Sequence, residues 1–170
     1  FSQLKSRYKL LYHRNKLIIS LLIYQALTTS ELVKLKIKNI DVEQGTIYIP
    51  RSHRLNARTL ELRAVQLDHA YHYICMDRNQ LLKQSTDQLL ITKTGNEESG
   101  EGISYLVSTL RSSIKNNKVT PQLIRQSVIT NFLSSGTDLR IVQVFAGHKK
   151  PSATEKYRQT NLEKLRSSIE

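Results

Sequence analysis

Cysteine is nearly absent from this 170-residue chain: Cys75 is the single one, which excludes an internal disulfide framework. A reducing cytoplasmic setting is therefore expected, with the thiol as a packing residue. Three prolines and six glycines are too few and too scattered to build an interdomain linker. No repeat with a period of about 20–50 residues is present, so one globular domain is expected. The apolar run from Leu17 to Tyr24 is interrupted by Ser20 and is far too short to span a bilayer. Glycine-rich phosphate loops, paired-cysteine motifs and serine-nucleophile motifs are all missing. Nucleotide hydrolysis, zinc chemistry and ordinary hydrolase chemistry thus lack their residues. His69 and His72 lie three apart near Cys75, but no second cluster completes a metal site. They are expected as partly exposed helix residues, and no metal is expected.

Acidic residues are also scarce, with 14 Asp and Glu against 26 Lys and Arg and a formal charge of +12. Such a balance selects a polyanionic partner, with nucleic acid foremost. Lys5, Arg7, Lys9, Arg14 and Lys16 all precede the first acid, Glu31, while Lys149, Lys150, Lys156 and Arg158 crowd a second region. An apolar content of 39% is sufficient for a real core.

The segment from Thr120 to Tyr157 carries the chemistry. Thr120 is a plausible N-cap and Pro121 suits the first helical position, predicting a helix to about Ser135 that Gly136 stops. Leu123, Val128, Phe132 and Leu133 are expected toward the core. Gln122 and Arg125 are three apart, close enough for an amide and a guanidinium to meet one phosphate. Asp138 can cap a short helix through Leu139, Ile141, Val142 and Phe145, which Gly147 ends in the left-handed conformation, leaving His148 at a turn. Ser152 and Glu155 have capping-box spacing, which puts Tyr157 in the second turn of a further helix.

These residues read T-P-Q-L-I-R-Q, then A-G-H, then Tyr157 nine positions after His148. In this the chain resembles the tyrosine recombinases, or phage-type integrases, whose pattern is roughly T-P-H-x-L-R-H, then L-G-H, then a nucleophilic tyrosine. Upstream, Ser30-Glu31-Leu32-Val33-Lys34-Leu35 through Asn39-Ile40-Asp41 resembles the family's S-E-L-x-x-L and D-I-D, so the resemblance spans nearly the whole chain. It implies a DNA breaking-rejoining enzyme for site-specific recombination or integration. A 3′-phosphotyrosine would form without ATP, metal or other cofactor. It also implies a homo-tetramer on paired sites and an N-terminal DNA-clamping domain ahead of residues 1–170, which would be the catalytic domain alone. A non-cleaving DNA-binding relative and a topoisomerase-like enzyme are the alternatives.

The expected fold is α+β, mainly α-helical with a small three-stranded antiparallel sheet. Helix is predicted over residues 4–27, with a break near Tyr12 to Asn15, and over 31–35 after a cap at Thr29 or Ser30. Further helices are predicted over 67–82 and 103–115. Thr46–Ile49 and Thr59–Leu62 read as paired strands, Gln88–Thr92 as the third, and Gly95–Gly102 as an acidic loop. Leu162, Leu165 and Ile169 form a small apolar stripe on a C-terminal helix, able to pack in cis or dock into a neighbour.

A phenol ionises near pH 10, so a tyrosine nucleophile needs donors that stabilise phosphorane charge and a path for its proton. Arg125 is the expected transition-state guanidinium, because arginine forks meet phosphate oxygens bidentately and stay charged. The resemblance implies His148 as a hydrogen-bond donor beside it, and Gln122 stands where the family has histidine. Thr28 stands where the family's first arginine would fall, and Arg51 and Arg54 are the nearest candidate replacements. The family's hairpin lysine is missing too: aligning on Arg58 puts His53 or Arg54 in its place. An imidazole could protonate the leaving oxygen, whereas Arg54 would neutralise charge. Arg51, Arg58, Lys149, Lys150 and Arg158 are the expected DNA contacts.

Overall fold

A computed structural model describes residues 9–111 and 118–166, with side chains through Arg158. Lys5, Arg7, residues 112–115 of the expected helix over 103–115, and the stripe of Leu162, Leu165 and Ile169 lie outside the described backbone or side chains. Helix α1 (Tyr12–Tyr24) is preceded by a 3₁₀ turn over Lys9–Leu11, so the predicted break at Tyr12–Asn15 is a helix start. Leu17, Ile18, Leu21 and Leu22 are fully buried, because α1 packs against three later helices and has almost no solvent face. Arg14 and Lys16 are buried with it, so neither belongs to a DNA-binding surface. Arg14 donates to the Ile91 carbonyl (2.6 Å) and pairs with Glu98 (2.7 Å).

Helix α2 (Thr29–Leu32) is capped by Thr28, one residue before the predicted caps. The reason is reciprocity: Thr28 Oγ1 accepts from Glu31 N–H (3.2 Å), and Thr28 N–H donates to the Glu31 carboxylate (2.9 Å). A 3₁₀ turn over Ile37–Asn39 leads into the sheet β1 (Ile40–Asp41), β2 (Thr46–Ile49) and β3 (Arg58–Glu61), antiparallel in the order β1-β2-β3. Ile47 and Ile49 are buried while Tyr48 is exposed, the two-residue alternation of a half-covered strand. Ile49 pairs with Arg58 across the hairpin, which fixes where β3 begins.

The third strand is β1 and not Gln88–Thr92. That segment is held as an irregular buried tie: Arg78 donates to the Thr86, Gln88 and Leu89 carbonyls, and the Tyr73 hydroxyl donates to Leu89 O and accepts from Ile91 N–H. Burial pushes the Tyr73 phenol up to about 12. Tyr73 lies on a π-turn (Tyr73–Asp77) between α3 (Ala64–His72) and α4 (Arg78–Leu81), which together form the predicted helical run. Cys75 is on the outer side of that turn and exposed, contrary to the packing role expected. His69 is buried. The acidic loop ends earlier than expected, since Ser99 caps α5 (Gly100–Ser108) by accepting from Gly102 N–H.

Among the described residues three helices follow: α6 (Pro121–Ser134), α7 (Leu139–Ala146) and α8 (Pro151–Arg166). Thr120, Pro121, Asp138 and Gly147 take the capping and terminating positions expected of them. Ser152 does not: α8 starts at Pro151, whose fixed φ suits the first turn, so Ser152 is already inside the helix. On α6 the inward stripe is Pro121, Arg125 and Ile129, at i, i+4 and i+8. Leu123, Val128 and Leu133 are only partly buried, and Phe132 is exposed against Phe145 (centroids 4.9 Å).

Candidate functional site

The inward stripe of α6 delivers a charged residue to a place where apolar side chains would normally lie. Arg125 is 6% exposed. Its Nη1 donates to the Ala26 carbonyl, and its Nη2 to the Ala146 carbonyl (2.7 Å) and to His148 Nε2 (3.1 Å). Ala26 follows α1 with φ +51, a left-handed conformation that a non-glycine residue adopts rarely, and that turn presents its carbonyl to the guanidinium.

Glu31 supplies the counter-charge. Its Oε1 lies 2.7 Å from Arg58 Nη1, and its Oε2 lies 4.0 Å from Arg125 Nη1. Burial alone would raise the Glu31 carboxyl. The hydrogen bond and charge of Arg58, the Thr28 backbone N–H and the Arg125 charge outweigh burial and hold it below the ordinary carboxylate value. Arg58 is therefore a buried site residue rather than the surface DNA contact expected. Its Nε and Nη2 are buried without a protein hydrogen-bond partner. Gly147 is required here twice over: its φ is +73, and a Cβ would sit 2.5 Å from Arg58 Nη1.

His148 follows that glycine. Arginine can only donate, so Nε2 is the unprotonated nitrogen, and Nδ1–H donates to Thr154 Oγ1 (2.8 Å). Burial, then the charges of Arg125 and Arg58, push the imidazole down from 6.5 to about 4. It is thus neutral at physiological pH and presents an acceptor, where a donor was expected. Because the unfolded chain takes up this proton first, His148 favours the fold above pH 6.5, and that contribution is lost as pH falls toward 4. An NMR titration of the His148 ring is expected to show a midpoint near 4. An ordinary midpoint would contradict the burial described.

Tyr157, in the second turn of α8, is half-buried against Ile129, Val142 and Ala146. Its ring stacks parallel to His148 (5.9 Å, 9°), and its phenol is close enough to Arg125 to interact with it electrostatically. The loop between β2 and β3 closes the other side. Leu55 forms a β-bridge with His148, Asn56 N–H donates to Gly147 O (2.8 Å), and Lys149 Nζ donates to His53 O (2.7 Å). His53 and Arg54 consequently line a cleft of about 510 Å³ together with Thr28, Lys34, Arg125 and His148. Among the described residues no carboxylate lines it, so it suits an anionic group.

Of the expected residues, Arg125, His148, His53 and Arg54 line the cleft, and Tyr157 adjoins it through its stack on His148. Gln122 does not line the cleft: it is exposed, one turn before Gln126, at the edge of the stripe that Arg125 centres. Arg51 is exposed outside the cleft. Lys149 and Lys150 are exposed, as is Arg158, which pairs with Glu155 (3.8 Å). Lys34, Thr154 and the Glu31 carboxylate were not singled out as site residues. Glu31 and Lys34 lie inside the S-E-L-x-x-L stretch, and Thr154 is three residues before Tyr157.

Comparison with known proteins gives concordant findings. The sequence profile of the Phage integrase family matches residues 3–164. Tyrosine recombinase XerC of Halalkalibacterium halodurans is 27% identical over 159 residues, covering 90% of this chain and 52% of that protein. Tyrosine recombinase XerD of Staphylococcus epidermidis is 28% identical over 157 residues, covering 91% and 52%. The chain spans about half the length of these curated relatives. Among solved structures, XerH site-specific recombinase bound to its palindromic difH substrate superposes with a TM-score of 0.77 at 19% identity, over 97% of this chain and 47% of that one. The Tn1549 transposon integrase in complex with transposon right end DNA gives 0.70 at 18% identity, over 95% and 60%.

Proposed function

The chain belongs to the phage integrase family, and on that premise we propose that it breaks and rejoins double-stranded DNA in site-specific recombination or integration. The observation that carries this reading is the convergence of Tyr157, Arg125 and His148 with a second buried guanidinium, Arg58, beside the position where Thr28 leaves none. The Tyr157 oxygen attacks a DNA phosphorus, the P–O bond to the 5′ oxygen breaks, and a 3′-phosphotyrosine forms. Attack by a 5′-hydroxyl of another strand reverses the step and frees Tyr157. The phosphodiester energy is conserved in the covalent bond, so the resemblance calls for neither ATP nor metal.

Arg125 and Arg58 stabilise the phosphorane oxygens, with Glu31 fixing both forks. Neutral His148 can take the tyrosine proton, which Gln122 cannot relay. His53 protonates the leaving 5′ oxygen, and Arg54 neutralises charge beside it. The exposed basic residues around the cleft, including Lys149, Lys150 and Arg158, contact phosphates. Relatives named as recombinases, and neighbours solved on DNA, support DNA as the partner. A homo-tetramer on paired sites and a cytoplasmic setting complete the proposal. Among the described residues no helix is long and apolar enough to cross a membrane.

A plasmid carrying two copies of the cognate site is expected to resolve into two circles in the presence of the full-length protein. Relaxation of a one-site plasmid without exchange would instead assign topoisomerase-like activity. Binding with neither outcome would favour the non-cleaving relative, the reading that Thr28 and the outward Gln122 support.

A further inference from the structure

Helices α1 and α3 contribute no side chain to the cleft, yet they bring together a second group of functional side chains. His13 of α1 meets Asp68 and His69 of α3, one potential ligand atom from each lying within 4.8 Å of the others. The histidines of α3 have no partner nearby in the sequence; His13 is supplied by a helix far upstream in the chain. His69 is 9% exposed, and the Nδ1 atoms of both His13 and His69 are buried without a hydrogen bond. Two adjacent buried imidazole nitrogens left without partners are costly unless something satisfies both.

Asp68 stands at the open side of the group. Its Oδ2 is 3.6 Å from His69 Nδ1, and its Oδ1 is 3.5 Å from His72 Nε2. His72 stacks on the His13 ring at 4.8 Å and 30°, so it braces His13 from outside. Lys16 is the opposing feature, since its charge disfavours protonation of His69 and disfavours any nearby cation. That repulsion argues against a hard cation held by charge alone. It is compatible with a borderline ion that bonds neutral imidazole.

We propose that His13, Asp68 and His69 form a site for a divalent transition-metal ion of the zinc type, tying α1 to α3. Two imidazoles and one carboxylate leave a fourth position open, the usual pattern of a three-ligand site. Metal–ligand bonds of about 2 Å require the ligand atoms to draw closer than they lie now. The exposed Asp68 side chain is free to make most of that movement. The ion takes no part in strand cleavage.

The test titrates metal-free protein with zinc sulfate alone, reading stoichiometry by calorimetry and stability by thermal unfolding. One ion per chain is expected, with Tm raised by about 5–10 °C at a hundredfold excess over Kd. His13→Gln and Asp68→Asn are each expected to weaken zinc affinity by about tenfold or more. Asp68 is exposed, so Asp68→Asn should leave the metal-free Tm unchanged and keeps the test independent of folding. Cys75→Ser is expected to bind zinc as the parent does, and cobalt bound to the parent should show no thiolate charge-transfer band. The proposal is overturned by absence of one-to-one binding, by parental affinity in both His13→Gln and Asp68→Asn, or by loss of binding in Cys75→Ser.

Discussion

Arg58→Ala is expected to slow strand cleavage by about 10²- to 10³-fold, the usual cost of losing one preorganised donor to a developing oxyanion. The same substitution leaves Arg125, at 4.0 Å, as the remaining counter-charge of buried Glu31, and removing one partner of a buried pair costs about 3–5 kcal/mol. A drop in Tm alone would therefore not identify the role. The discriminating experiment restores an arginine at Thr28, where the family carries one, in the Arg58→Ala background. Thr28→Arg loses the N-cap of α2 at a cost of about 1 kcal/mol, yet it is expected to recover a measurable part of the cleavage rate. If Arg58→Ala cleaves at the parental rate under conditions where it is folded, Arg58 is only the structural partner of Glu31 and the clamp is made elsewhere.

His53→Ala is expected to lower cleavage of an ordinary substrate by about 10²- to 10⁴-fold, the range for removing a positioned general acid. With sulfur replacing the bridging 5′ oxygen, the leaving group departs without a proton, and the variant should approach the parental rate. Arg54→Ala should be impaired on both substrates, because neutralising phosphorane charge is needed whichever atom leaves. Lys34 lines the same cleft and is the competing donor. Rescue of Lys34→Ala by the sulfur substrate, with none for His53→Ala, would move the acid from the hairpin to the end of α2.

The three C-terminal helices were legible in the sequence because their boundaries are set by local backbone chemistry. Thr120 accepts from Leu123 N–H, Pro121 opens the first turn, and Gly147 supplies the left-handed residue that also makes room for Arg58. With those boundaries set, the spacing from Arg125 through His148 to Tyr157 brings the three together. Features that depend on distant partners were not legible. Arg58 looks like a surface charge until the hairpin register carries it to Glu31, and burial of a charge has no periodic signature. Arg125 occupies the stripe that apolar residues were expected to fill, so the expected inward positions on α6 were displaced toward its flanks. Gln88–Thr92 has the composition of a strand, but Arg78 and Tyr73 claim its carbonyls. His13 and His69 show the same limitation, since only the packing of α1 on α3 makes them neighbours.

Every assignment in the cleft depends on Tyr157 being the nucleophile. The direct measurement is incubation of the full-length protein with a nicked suicide substrate carrying its cognate site, followed by denaturing electrophoresis. The account predicts a covalent protein–DNA adduct that is absent from Tyr157→Phe while that variant still binds the DNA. An adduct that persists in Tyr157→Phe, or none from the parent despite salt-sensitive binding at a verified site, would contradict it.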